Sequence, residues 1–135
     1  MKNIFKAVLL ISIVAIFASC EKDEGKLPNI AFKTGGNYIT SDVTKAGGSA
    51  ILIGIDASKA EDKDVLKKFN ITKSVNGAAG TTIVDQDLSG DNGDNFSYDY
   101  SATLDTIHGQ TNKYTFTVTN RDGLTNQVAL TVTVQ

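Results

Sequence analysis

From Phe96 to Leu104 apolar and polar residues alternate without a break: Phe96, Tyr98, Tyr100, Ala102 and Leu104 against Ser97, Asp99, Ser101 and Thr103. A period of two puts the two sets on opposite faces of an extended chain, so this stretch is a half-buried β-strand and not a helix. The pattern returns at Tyr114, Phe116 and Val118, and again at Val128, Leu130, Val132 and Val134. Thr115, Thr117, Thr119, Thr131 and Thr133 fill the other face, where they combine strand propensity with solubility. The turn Arg121-Asp122-Gly123 separates the last two runs.

The same reading extends towards the N-terminus. Asn29–Lys33 is a first strand, and Tyr38–Val43 an irregular continuation of it after Gly35-Gly36. Ser49–Ala57 is a second strand, with Ile51, Ile53 and Ile55 on one face and Ala50, Leu52 and Gly54 on the other. That second face is so apolar that the strand is central or something covers Leu52. Ser58 and Glu61 have capping-box spacing, which predicts a short helix or helical turn over Ala60–Lys68. Phe69–Val75 and Thr81–Asp85 resume the strand period around the turn signal Asn76-Gly77. About seven strands in a 135-residue chain predict an all-β fold, a seven-stranded antiparallel immunoglobulin-like sandwich over residues 28–135.

The first 20 residues read differently. Lys2 and Lys6 flank a basic start, and Ala7–Phe17 is uncharged. At about 11 residues that run is too short to cross a bilayer and suits a signal peptide over residues 1–19. It ends in Phe17-Ala18-Ser19-Cys20, and Cys20 is the only cysteine. This segment resembles the lipobox of Bacteroidota lipoproteins, although Phe17 and Ser19 stand where the commonest lipobox has Leu and Gly or Ala. The resemblance implies lipidation at Cys20 and a membrane-bound chain. Glu21-Lys22-Asp23-Glu24, within the linker of residues 20–27, is similar to the acidic signal that exports such lipoproteins to the cell surface, facing outward from the outer membrane. Loss of the leader removes two of 13 basic residues and none of 15 acidic ones, moving the formal charge from −2 to −4. An acidic domain is a poor partner for nucleic acid.

The last hairpin, Lys113 to Val134, resembles that of PKD-like and related immunoglobulin-like modules, with Tyr114 as a tyrosine-corner residue. Trp is absent and no second cysteine is present, unlike an antibody-type domain.

Chemistry-bearing residues are few. His108 is the only histidine and sits in a loop beside Gly109, where a solvated ring is expected. Paired carboxylates need a deep cleft for glycosidase work, which a small sandwich rarely offers, so no enzyme is expected. Asp85, Asp87, Ser89, Asp91 and Asp94 are the only Ca²⁺ candidates. They offer oxygens at alternate positions with Gly90 sixth, but Phe96 stands where an EF-hand has its bidentate Glu. The expectation is a turn-forming loop and no cofactor. The resemblances together imply a surface lipoprotein that serves as an interaction or binding module beside other outer-membrane proteins. The alternative is a carbohydrate-binding accessory lipoprotein of a polysaccharide-uptake system; Tyr38 is the one aromatic left free to stack on a glycan.

Overall fold

The computed structural model describes residues 24–135. The expected signal peptide, the lipidation site Cys20 and residues 21–23 lie outside the described residues. The rest is an all-β immunoglobulin-like sandwich of eight strands: β1 (Asn29–Phe32), β2 (Val43–Lys45), β3 (Ala50–Ser58), β4 (Leu66–Val75), β5 (Thr81–Asp87), β6 (Asn95–Thr103), β7 (Thr111–Asn120) and β8 (Thr125–Val134), with one helical turn, α1 (Asp91–Asp94), before β6. One sheet has the order β1-β3-β6 and the other β2-β8-β7-β4-β5.

Each sheet turns the apolar set of its strands inward. Ile51, Ile53, Ile55 and Ala57 of β3 stand opposite Ala102, Tyr100, Tyr98 and Phe96 of β6. Facing them are Phe69 and Ile71 of β4, Tyr114, Phe116 and Val118 of β7, and Leu130 and Val132 of β8. The ring of Phe69 lies 5.0 Å from Phe96 and 5.1 Å from Tyr98, while Phe32 meets Phe116 edge-on at 6.0 Å. These contacts set β6 above β4 and β1 above β7. The five-stranded sheet therefore carries β5 out past β6, and the inward residues of β5, Val84 and Gln86, stay half-exposed.

Two local expectations change. The region read as an irregular continuation contains an eighth strand, β2, which pairs parallel to β8, Val43 to Val132 and Lys45 to Val134. Asp42 Oδ1 accepts from the Thr131 amide at 2.7 Å and fixes its register. Three residues are too few to show a period; β2 exists because β8 templates it. The capping box does not start a helix. Ser58 is the last residue of β3, and the ladder continues beyond it through the Lys59 amide to the Asp94 carbonyl at 3.0 Å. The would-be N-cap is thus committed to the sheet, and the chain crosses by turns to β4. At Asn76-Gly77 the expected turn forms: φ is 51° and 74°, and the Ala78 amide closes on the Val75 carbonyl at 3.0 Å. Two positive φ values in sequence are what a primed hairpin turn requires.

Candidate functional site

Asp85 lies on β5 and pairs with Lys68 of β4 at 3.1 Å. Asp87 closes the strand, exposed, and Ser89 is exposed in the loop after it. Asp91 and Asp94 belong to α1, where Asp94 binds Lys59 at 2.8 Å and holds its ammonium above the ordinary lysine value. Among the described residues no three His, Cys, Asp or Glu side chains converge as a metal site needs. An extended strand spaces residues two apart by about 7 Å, so Asp85 and Asp87 cannot wrap one ion as a tight loop would. His108 is exposed in the loop between β6 and β7.

A different cluster forms on the outer face of the three-stranded sheet. Gly54 is buried in the middle of β3, and a Cβ there would meet Tyr38 Cε1 at 2.6 Å, Lys33 Cδ at 2.7 Å and Asp99 Oδ1 at 2.8 Å. Only glycine lets Tyr38 lie this close to the sheet. Lys33 Nζ donates to Asp99 Oδ1 at 2.7 Å, and the Tyr38 hydroxyl donates to both oxygens of the same carboxylate at 3.1 Å. The Lys33 hydrogen bond, then that of Tyr38, hold the Asp99 carboxyl below its usual range; Asp99 in turn raises Lys33. Tyr38, the aromatic expected to be free for a glycan, is thus spent as a roof over Gly54. Asp99 lies more than 60 residues from Lys33 and Tyr38 in sequence, and Gly54 stands apart from all three. The one available signal was a glycine inside a strand.

The two ends of the sandwich are closed by buried polar groups. At the end where the chain enters, Asn120 (2% exposed) donates to Asp64 (1% exposed) at 2.7 Å and to the Lys26 carbonyl at 3.0 Å. Asn126 donates to the Pro28 carbonyl at 2.9 Å. At the opposite end Gln110 donates to Asp105 and to Asn112. Tyr114 is buried beside them, and desolvation pushes its hydroxyl up to about 12. No hydrogen bond from that hydroxyl is present among the described residues, so Tyr114 is a core ring and not a tyrosine corner.

No family model matches the chain, and no curated protein matches it. Solved structures do. The superoxide reductase (neelaredoxin) of Ignicoccus hospitalis superposes with a TM-score of 0.52 at 6% identity, over 82% of this chain and 81% of that one. A variant of the same protein gives 0.55 at 5% identity, over 81% and 80%. A CARDB domain from Pyrococcus furiosus gives 0.46 at 12% identity, over 82% and 99%. At such identities the likeness is one of fold. It nevertheless corrects the expectation of no enzyme, which rested on a lone loop histidine and on the lack of a deep cleft: a reductase has this architecture, so a small sandwich is no argument against an enzyme.

Proposed function

We propose that this chain is a lipoprotein of the outer membrane, held by acylated Cys20 and facing the cell surface, whose sandwich serves as an interaction module. The observation that carries the reading is the junction of leader and domain. The apolar run ends at the only cysteine, and by Lys26 the chain is already docked on the sandwich through Asn120. A lipid-anchored domain with no long stalk works beside its membrane neighbours, which supports a role in binding them. The fold supplies two sheet faces and open sheet edges for such contacts.

The test is acylation. Labelled palmitate is expected to enter the wild-type chain and not Cys20→Ala, and an intact-cell protease is expected to trim only the wild type. Equal labelling of both chains would overturn the reading.

A further inference from the structure

The sheet edges of this sandwich differ in how they are defended. β1 and β2 are short, with four and three residues. β5 is broken by a bulge opposite Ile71/Thr72 and carries Asp85 and Asp87. Bulges, charges and brevity are the usual means of keeping an edge from pairing with another chain. β6 has neither a bulge nor a short span, and no charge left unpaired. It runs nine residues in unbroken register with β3, holds no proline or lysine, and its one charged residue, Asp99, is already paired with Lys33.

The hydrogen-bond parity of β6 follows from its ends. Leu104 receives from Gly48 and donates to Ser49, and the Asp94 carbonyl accepts from Lys59, so even-numbered residues face β3. In an antiparallel ladder a residue sends its N–H and C=O the same way and its neighbour sends both the other way. The N–H and C=O groups of Ser97, Asp99, Ser101 and Thr103 therefore point to the open side. Among the described residues β6 pairs with β3 alone.

What lies beside that edge decides what fits it. β5 projects past β6 in the other sheet, so the open edge overlooks a ledge formed by Val84 and Gln86, next to the half-buried ring of Tyr98. The ledge is one strand wide. A second copy of this two-layered domain would drive its own β4 and β5 into the projecting β5, whereas a single extended segment has no second layer to clash.

We infer that β6 is a strand-addition site for an extended segment of another protein, which completes the three-stranded sheet and covers Val84 and Tyr98. Main-chain bonds to the four outward residues hold such a segment, and alternate side chains choose it. Its inward positions are apolar, to meet Val84 and Tyr98, and its outward positions polar. Asp87 and Asp91 have no ion-pair partner among the described residues and sit at the end of the ledge where β5 finishes and β6 begins, so the segment carries basic residues there. This inference does not depend on whether Cys20 is acylated.

The probe is a synthetic peptide of alternating threonine and valine with lysines at both ends, added to the full-length chain in detergent. Amide exchange read residue by residue is expected to slow at Ser97, Asp99, Ser101 and Thr103 by about tenfold or more when the peptide is near ten times its dissociation constant. The even-numbered amides of β6, already bonded to β3, are expected to change little. Ser101→Pro removes one outward N–H and leaves the β3 ladder whole, so binding is expected to fall. Should that chain fail to fold, the same peptide N-methylated on alternate amides tests the point on the wild type, and one of the two methylation patterns must abolish binding. Absence of protection at millimolar peptide, protection on β5 or β1 instead, equal binding by both N-methylated peptides, or protection that appears with protein concentration alone would each overturn the proposal; the last would assign the edge to a second copy.

Discussion

The two sheets solve the same packing problem with different materials. In the five-stranded sheet Phe69, Ile71, Phe116, Val118 and Val132 are wholly enclosed, and Thr115, Thr117, Thr131 and Thr133 cover the outer side. In the three-stranded sheet the isoleucines of β3 are enclosed, but Tyr98 and Tyr100 of β6 stay half-open, and the outer side is made of Ala31, Gly54, Ser97 and Ser101 with a tyrosine laid across it. The first sheet is where burial stabilises the fold. The second gives up enclosure at one edge and smoothness on one face, and both concessions leave backbone and polar groups within reach of solvent.

That contrast can be broken most forcefully at Phe116. Phe116→Ala is expected to cost about 3 to 5 kcal/mol, a large part of the roughly 5 to 15 kcal/mol of a typical domain. Tyr98→Ala, a ring of similar size in the other sheet, is expected to cost less by at least about 1 kcal/mol, because part of it is already in water. Urea titration of both chains decides the matter, and equal losses would mean that β6 is as well enclosed as β7.

A smaller effect sharpens the same comparison through Tyr114. Its hydroxyl is raised from 10.0 to about 12, with burial as the main cause. The folded state then keeps a proton that the unfolded chain releases above pH 10. Stability contributed by the neutral phenol is complete below pH 10 and declines as pH rises to 12, by about 2 to 3 kcal/mol. Tyr114→Phe should flatten that decline. With four tyrosines and no tryptophan, tyrosinate absorbance of the folded protein should show Tyr114 titrating last, after Tyr100, which burial also raises above the free phenol.

The smallest effect belongs to the outer face. Asp99 is depressed and Lys33 raised by their mutual hydrogen bond. The aspartate's contribution is present above its unfolded value and is lost as pH falls through the lower folded one. The lysine's is present below its unfolded value and is lost only as pH rises past the higher folded one. Both groups are open to solvent, which screens them. Asp99→Asn should therefore lower the neutral-pH melting temperature only slightly, and the difference from wild type should shrink to nothing as pH falls below the range where the carboxyl is ionised. A melting shift comparable to that of Phe116→Ala would place the cluster among the determinants of the fold.

Much of this was legible in the residues themselves. β3, β6, β7 and β8 announce their inward faces through strict alternation, because a strand buried on one side has no other way to be written. Asn76-Gly77 declares its turn because few residues accept two positive φ values. The rest depends on partners distant in the chain. β2 is too short to carry a period and exists through its pairing with β8. Ser58 and Glu61 have the spacing of a helix start, but the pull of the β3–β6 ladder outweighs a cap. Tyr38 looked free until Gly54 received it. The alternating oxygens of residues 85–94 had the spacing of a calcium loop, but spacing does not show that Asp85 and Asp87 lie on an extended strand. Architecture also misled: a shape judged too shallow for catalysis is shared with a reductase.

The carbonyls of Lys26 and Pro28 are tied down by Asn120 and Asn126, and Cys20 precedes Lys26 by only six positions in the sequence. Six residues of chain reach no more than about 20 Å even when fully extended. With Cys20 acylated, such a domain cannot search for a partner; its capture radius is little more than its own outline. Whatever meets it must already be a neighbour and must bring its own slack, and a loose extended strand is a form of slack that a folded surface does not have.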